Sequence, residues 1–274
     1  MIYDETICQL GEGPLWHPER GELFWFDIMA KRLHIKGRHW QFSRHVSAAG
    51  WVDDSRLLIA DSIGLHLFDL ATGTADQIAK IEADTPATRS NDGRADPWGG
   101  FWIGTMALDK QKGAGAIYRY YRGEVRKLFG DLTIPNSICF APDGSFALFT
   151  DTPTQVIMKQ PLSDKDGWPV GAPEPWLDLR EDGLYPDGAV MDASGHFLSA
   201  QWGANRVARY SPAGKWTDSF IFPANETSCP AMGGPDLTTL FCTSATEDAH
   251  GLDDGKTFST PTSIKGQAEH RIIL

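Results

Sequence analysis

The sequence has 274 residues, with 25 Lys or Arg and 36 Asp or Glu, so its formal net charge at pH 7 is −11. A chain of this length buries a large core without disulfides or structural metals, and its acidic balance argues against binding to nucleic acid. It lacks an apolar run of the roughly 20 residues that span a membrane, and MIYDETICQL lacks the pattern of a signal peptide. Its cysteines lack the spacing of a metal site. We therefore expect a cytoplasmic protein with reduced thiols and no membrane partner.

Short apolar runs alternate with turns rich in Pro, Asp and Gly along the whole chain, which predicts many short antiparallel strands. Six related segments recur at intervals of roughly 35 to 50 residues, a period typical of repeat architectures. In chain order they are EGPLWHPERGELFWFDI from Glu12, AAGWVDDSRLLIADS from Ala48, NDGRADPWGGFWIGTM from Asn91, NSICFAPDGSFALFTDT from Asn136, DGAVMDASGHFLSAQW from Asp187 and CPAMGGPDLTTLFCTS from Cys229. Each segment joins an apolar strand, a tight turn and a second apolar strand.

A further pair of strands follows in each unit, for example GAIYRYY from Gly115. Four antiparallel strands in each of six units predict an all-β fold, a six-bladed β-propeller formed by one domain over residues 1–274. A double β-sandwich is the competing all-β fold, although the repeat is longer than one hairpin. Propellers often close their ring by pairing one terminus into the final blade. We therefore expect Ile2–Cys8 to pair there and the C-terminal HRIIL to form the last strand.

One position of the repeat carries polar residues in most of the units. It lies five residues before the residue that opens the first turn, and it is occupied by Glu12, Ala48, Asn91, Asn136, Asp187 and Cys229. Because the first strand of each blade lines the central channel, residues at the same repeat position form a ring at one mouth. Carboxylate and amide oxygens are ligands of hard divalent cations, which predicts a cation site there. The alternative is that these Asn and Asp residues only form turns before glycine.

The loops that follow the second strands surround the same mouth, because each second strand returns to it. The candidates to line a pocket from these loops are Met106, Asp109, Trp202 and His250. Arg89 precedes Asn91 by two residues, so both side chains point the same way on an extended strand, where the arginine can hold a substrate oxygen. Ordinary loop surface, or for Arg89 a surface ion pair, is the alternative for each of these residues.

Five motifs carry a resemblance to known proteins. They are LGEGPLW at Leu10–Trp16, RSNDGRADPWGGFWIGTM at Arg89–Met106, IPNSICFAPDG at Ile134–Gly144, YPDGAVMD at Tyr185–Asp192 and GGPDLTTL at Gly233–Leu240. In this order they resemble the SMP-30/gluconolactonase/luciferin-regenerating-enzyme family, also called regucalcin-like. The resemblance covers nearly the whole chain. It implies a six-bladed propeller with one divalent metal ion in the central channel, held by Glu12, Asn136 and Asp187.

The resemblance also implies a substrate site. Arg89 and Asn91 would contact a sugar lactone, and we expect Trp202, a candidate from the pocket loops, to bind it as well. Members of the family often have an acidic residue just after the GTM segment for a substrate hydroxyl. In this sequence the nearest acid is Asp109, within GTMALDK, and we expect it to make that contact.

The chain resembles the bacterial members of this family, which are mostly aldonolactonases. This implies a metal-dependent hydrolase that opens an aldonolactone, such as a glucono-, xylono- or arabinonolactone, by attack of water on the metal-polarised carbonyl. We expect Asp187 to be the general base. The residues leave open whether the ion is Ca²⁺, Zn²⁺, Mn²⁺, Mg²⁺ or Fe²⁺, and whether the chain is a monomer or a weak homo-oligomer. Two other functions stay open, a non-catalytic calcium-binding regulatory propeller and a metal-dependent aryl-ester or organophosphate hydrolase.

Overall fold

The computed structural model describes residues 1–248 and 251–274, which form six antiparallel sheets of four strands each. The first strand of each sheet packs against the first strand of the next sheet, and the last of these strands packs against the first. The sheets are therefore arranged as blades around a central axis, and the prediction of a six-bladed β-propeller is confirmed. In this part of the chain, no helix has the length and apolar character needed to cross a membrane.

The strands are numbered β1 to β24 in chain order, and the blades are numbered along the chain. Blade 1 holds β2 (Gly11–His17), β3 (Glu22–Asp27), β4 (Arg32–Ile35) and β5 (Arg38–Gln41). Blade 2 holds β6 (Val46–Asp53), β7 (Arg56–Asp61), β8 (Gly64–Asp69) and β9 (Ala75–Lys80). Blade 3 holds β10 (Thr88–Ala95), β11 (Phe101–Ala107), β12 (Gly115–Tyr121) and β13 (Glu124–Leu132). Blade 4 holds β14 (Pro135–Phe140), β15 (Phe146–Asp151), β16 (Val156–Pro161) and β17 (Glu174–Asp178). Blade 5 holds β18 (Tyr185–Met191), β19 (Phe197–Trp202), β20 (Arg206–Tyr210) and β21 (Trp216–Ile221). Blade 6 holds β22 (Thr227–Gly233), β23 (Thr239–Ser244), β24 (Thr257–Pro261) and β1 (Ile2–Asp4). A short 3₁₀ turn, Thr152–Thr154, follows β15.

The second strand of each blade has apolar side chains on both faces, because both faces are covered by neighbouring blades. In β3, Leu23 and Trp25 pack with blade 6, whereas Phe24 and Phe26 pack with blade 2. Successive side chains of a strand point to opposite faces, so one continuous apolar run supplies both interfaces. The same arrangement repeats around the ring and produces an apolar cluster between each pair of adjacent blades.

The N-terminal strand closes the ring. β1 pairs antiparallel with β24, with Ile2 opposite Phe258, so it supplies the outer strand of blade 6. The prediction that Ile2–Cys8 pairs into the last blade is confirmed for Ile2–Asp4. The prediction that HRIIL forms the last strand is wrong, because β1 already occupies the outer edge of that blade and residues 262–274 form no strand.

Residues 262–274 instead cover one mouth of the channel. This mouth lies where the first strand of each blade, the inner strand, turns into the second strand. The backbone N–H groups of Ile272 and Ile273 donate to the carbonyl oxygens of Trp51 and Gly99, in blades 2 and 3. The side chain of Ile272 is buried there. This end of the channel is therefore covered by the chain itself, and the opposite mouth is the one where a ligand can enter.

A buried ion pair links this C-terminal segment to the channel wall. Arg94 of β10 donates from Nη1 to the Glu269 carboxylate, and the two side chains are only 11% and 8% exposed. Trp51 Nε1 donates to the carbonyl oxygen of Glu269 at 2.8 Å. Removal of one partner from such a pair leaves a desolvated charge, whereas an exposed pair contributes little to stability.

We expect Glu269→Gln to lower the free energy of unfolding by about 3–5 kcal/mol, because the buried Arg94 then loses the carboxylate with which it pairs. Glu124→Gln is the matched control, since Glu124 pairs with Arg126 at the surface, where both side chains are about half exposed. The control substitution should change the free energy of unfolding far less, because an exposed ion pair contributes little to stability. Urea unfolding followed by circular dichroism measures both values, and equal costs would contradict the structural role of the pair.

Candidate active site

Each inner strand carries a bulge at the same level of the channel. The pairing with the second strand shifts register there, and the residues that flank the shifts are Glu12 and Leu15, Val46 and Ala48, Ser90 and Gly93, Asn136 and Cys139, Pro186 and Ala189, and Thr227 and Pro230. At a bulge, the side chain of the extra residue points in a different direction from the one that the regular alternation of the strand would give it. The polar ring residues Glu12, Asn91, Asn136 and Asp187 lie at or inside these shifts, and all four side chains are buried and line one cleft.

A glycine directly follows each of the two carboxylates at these bulges. Gly13, directly after Glu12, has a φ of +52°, a left-handed conformation that glycine adopts without penalty. A Cβ on Gly188, directly after Asp187, would overlap the Sγ atom of Cys229. Cys229, which the repeat places near the channel mouth, is fully buried behind Gly188 and does not line the cleft, and burial raises the pKa of its thiol well above the usual range.

The cleft at the open mouth has a volume of about 510 Å³. It brings together residues that the sequence predicts for the site, namely Glu12, Arg89, Met106, Asn91, Asn136, Asp187 and Trp202. Further lining residues are absent from the prediction, namely Leu10, Lys110, Ile134, Thr152 and Glu247. The inner strands of blades 1, 3, 4 and 5 thus supply the polar floor. Met106 and Trp202 lie in the second strands β11 and β19, not in the loops after them as the sequence predicts, whereas Lys110 and Glu247 are loop residues at the rim.

A chain of hydrogen bonds orients the polar side chains across blades 3, 4 and 5. Arg89 Nη1 donates to Asn91 Oδ1 at 2.8 Å, and Asn91 Nδ2 donates to Asn136 Oδ1 at 2.9 Å. Asn136 Nδ2 donates to Thr152 Oγ1 at 2.9 Å, and this hydroxyl donates to the carbonyl oxygen of Pro186 at 2.8 Å. The direction of each bond orients both amides, and the Asn136 amide oxygen keeps a second lone pair beyond the one that Asn91 uses.

The floor of the cleft concentrates negative charge away from water. Burial raises the pKa of Glu12 to about 8, and the charge of Asp92 adds to this rise. The backbone N–H of Gly13 and the Arg89 cation oppose it. Burial also raises the pKa of Asp187 well above its usual range, and the charges of Glu12 and Asp92 contribute. A proton or a cation must therefore accompany these carboxylates at neutral pH.

The chemistry of the donor set fits a hard divalent cation. Glu12 and Asp187 offer carboxylate oxygens and Asn136 offers an amide oxygen at the same mouth, and water or substrate can complete such a coordination shell. A divalent ion would also offset the repulsion between the two buried carboxylates. Across residues 1–248 and 251–274, no three His, Cys, Asp or Glu side chains form a metal-binding group. The Asn136 amide is the further oxygen donor that stands beside the two carboxylates at this mouth.

The structure does not place Asp109 in the cleft, contrary to the sequence prediction. It is exposed in the loop between β11 and β12, where its carboxylate accepts a hydrogen bond from the backbone N–H of Gln111 in a turn. The next residue, Lys110, lines the cleft instead. The only signal in the sequence for Lys110 is its position in a loop that surrounds the mouth. The same holds for Thr152 and Glu247. The predicted pocket residue His250 lies outside the described residues.

Known proteins resemble this chain over most of its length. A protein-family model described as SMP-30/Gluconolactonase/LRE-like region matches residues 10–246. A 6-deoxy-6-sulfogluconolactonase of Pseudomonas putida is 34% identical, over 95% of this chain and 94% of that protein. An L-arabinolactonase of Azospirillum brasilense is 32% identical, over 97% of this chain and 93% of that protein. The structure of a calcium-binding protein, regucalcin, of Agrobacterium tumefaciens superposes with a TM-score of 0.97 at 39% identity, over 100% of this chain and 97% of that one.

In the metal-free protein, we expect Glu12 to make the free energy of unfolding fall as pH rises from 4.5, its ordinary pKa, to about 8. Over this range the folded protein keeps a proton that the unfolded chain releases, and one such proton corresponds to about 1.4 kcal/mol per pH unit. Glu12→Gln removes this contribution, so the variant gains stability relative to the wild type as pH rises.

Urea unfolding in the presence of a chelator measures this difference at several pH values. Glu124→Gln, an exposed glutamate outside the cleft, serves as the control and should follow the wild-type pH dependence. The assignment of the raised pKa to Glu12 is wrong if the free energies of unfolding of Glu12→Gln and of the wild type change in parallel with pH.

Proposed function

The chain belongs to the SMP-30/gluconolactonase/LRE-like family, and on that premise we propose that it is a metal-dependent sugar lactonase that opens an aldonolactone to the aldonic acid. The observation that carries this proposal is the cleft, where the oxygen donors Glu12, Asn136 and Asp187 lie beside Arg89 at one open mouth. A cation site, a base and hydrogen-bond donors for a polyhydroxylated ligand are thus in one place. Two relatives carry the names of sugar lactonases, which supports the same substrate class.

Glu12, Asn136 and Asp187 are the proposed ligands of one divalent ion. When bound, this ion supplies a Lewis acid that polarises the lactone carbonyl. All three residues donate through oxygen, so Ca²⁺, Mg²⁺, Mn²⁺, Zn²⁺ and Fe²⁺ are all candidates. The calcium-binding description of the regucalcin structure supports a divalent ion in this family.

Asp187 is the proposed general base. Coordination weakens a carboxylate as a base, whereas burial, the largest cause of the raised pKa of Asp187, favours its taking up a proton. Asp187 takes a proton from the water that attacks the carbonyl carbon, and it delivers this proton to the ring oxygen as the C–O bond breaks. The product is an aldonic acid, and no bond forms between enzyme and sugar.

Arg89, Asn91 and Trp202 orient the sugar in this proposal. Both hydrogens of Asn91 Nδ2 are engaged, by the carbonyl oxygen of Pro135 at 3.1 Å and by Asn136 Oδ1. Asn91 therefore contacts a sugar hydroxyl through the second lone pair of its own Oδ1. Arg89 is held through Nη1, and its other N–H groups are the donors for a substrate oxygen. The Trp202 ring forms one wall of the cleft.

Calcium binding without catalysis is the second candidate function, because the regucalcin structure at 39% identity is described as a calcium-binding protein. A cytoplasmic location, a single domain over residues 1–274 and a monomeric or weakly oligomeric state remain predictions from the sequence.

We expect Asp187→Asn to lower kcat for an aldonolactone by about 10²–10⁴-fold, the usual contribution of a general base. Asp109→Asn makes the same chemical change in an exposed turn outside the cleft, and its kcat should stay at the wild-type value. A pH-indicator assay, corrected for spontaneous opening, measures both variants, and circular dichroism checks that each is folded. Full activity of Asp187→Asn would exclude this residue as the base.

A substrate panel distinguishes the functions that the sequence leaves open. It contains glucono-, xylono- and arabinonolactone, an aryl ester and a phosphotriester. Each compound is assayed with an excess of each candidate divalent ion in turn. We expect at least one sugar lactone to be opened, and to be preferred over the ester and the phosphotriester. Hydrolysis of the ester or phosphotriester alone would favour the other hydrolase class, and no hydrolysis with any ion would favour the calcium-binding function.

A further inference from the structure

An ion pair bridges the open mouth of the cleft. Lys110 lies in the loop after β11 in blade 3, and Glu247 lies in the loop after β23 in blade 6. Blades 3 and 6 stand opposite each other in the ring, and yet Lys110 Nζ lies 3.0 Å from Glu247 Oε1. Both side chains also line the cleft. The pair therefore spans the mouth through which a ligand enters.

The backbone of each partner is fixed, whereas the charged ends are accessible. The backbone N–H groups of Glu247 and Asp248 donate to the Glu226 carboxylate at 2.8 Å each, and the N–H of Lys110 donates to the carbonyl oxygen of Ala107. The side chains of Lys110 and Glu247 are 48% and 36% exposed. A pair this exposed adds little to stability, so its charged groups can exchange their mutual contact for contacts with a substrate.

The pair also determines the balance of charge at the mouth. The Glu12 and Asp187 carboxylates lie at the floor with the Arg89 cation, and the charge of Asp92, which does not line the cleft, interacts with both carboxylates. With the divalent ion of the proposed function, these four groups carry no net formal charge. Lys110 and Glu247 then add one charge of each sign, so the cleft stays neutral while the pair is intact.

We propose that Lys110 and Glu247 determine which sugar lactones are accepted, an inference that rests on the proposed lactonase function. The Lys110 ammonium donates to hydroxyl groups of the sugar that are remote from the carbonyl, and the Glu247 carboxylate accepts from them. A carboxylate, phosphate or sulfonate at this end can pair with the Lys110 ammonium only by displacing Glu247, whose negative charge repels it. The pair therefore selects uncharged polyhydroxylated lactones over lactones with a remote anionic group.

The test compares kcat/KM for two lactones of the same ring size, the uncharged γ-lactone of gluconic acid and the γ-lactone of glucaric acid, which keeps a free carboxylate. Glu247→Gln leaves the Lys110 ammonium without a countercharge, so the ratio of charged to uncharged substrate should rise at least about fivefold. Lys110→Met leaves Glu247 alone and should lower this ratio by about the same factor. Lys112→Met is the matched control, because Lys112 is exposed in the same loop and does not line the cleft.

Opposite shifts of the ratio in Glu247→Gln and Lys110→Met, with no shift in Lys112→Met, support the proposal. It is overturned if the wild type opens the uncharged lactone and both cleft variants keep the wild-type ratio. It is also overturned if both variants lose rate equally with the two lactones, since a purely structural role has that effect. A wild type that opens neither of these lactones nor any sugar lactone of the substrate panel, with any divalent ion, contradicts the proposed function, and with it this inference.

Discussion

Two carboxylates of like charge, Glu12 and Asp187, share the floor of the cleft, and the chemistry of the site follows from their repulsion. They belong to blades 1 and 5, and burial together with neighbouring negative charge raises the pKa of both. Water screens charges poorly inside the channel, so a proton or a cation has to accompany them. The proposed divalent ion relieves the repulsion at the same place where a lactone carbonyl would be activated.

The propeller supplies the rigid frame that holds such charges together. Each carboxylate lies on an inner strand that packs against the inner strands of neighbouring blades, at a bulge that directs its side chain into the cleft. The pairing of β1 with β24 closes the ring, and the C-terminal segment covers the opposite mouth through Ile272 and Glu269. Ligands and water therefore reach the carboxylates from one side, where the loops of blades 3 and 6 meet.

The floor of the site was predictable because the repeat fixes its geometry. Residues at one repeat position lie at one level of the channel whatever their separation along the chain, which is why Glu12, Asn136 and Asp187 come together. The repeat also predicted the apolar second strands, and in the structure these strands form the interfaces between blades. Loops obey no such rule, since local turns decide where each side chain points. Asp109 is used by its own turn, and its neighbour Lys110 faces the cleft.

The C-terminal segment shows a second limit of local patterns. HRIIL has the composition of a strand, but the edge of blade 6 can pair with only one segment, and β1 occupies it. The isoleucines of the tail then bind across the channel mouth by backbone hydrogen bonds to Trp51 and Gly99. Competition between the two ends of a chain for one sheet edge cannot be read from either end alone.

The central claim is that one divalent ion, held by Glu12, Asn136 and Asp187, is needed to open a sugar lactone. Calorimetric titration of chelator-treated protein with Mn²⁺, Ca²⁺ or Zn²⁺, with lactone opening assayed on the same samples, tests it most directly. The account predicts that binding saturates at one ion per chain and that the rate rises in proportion to the ion bound. A full rate in protein that contains no divalent ion would contradict it.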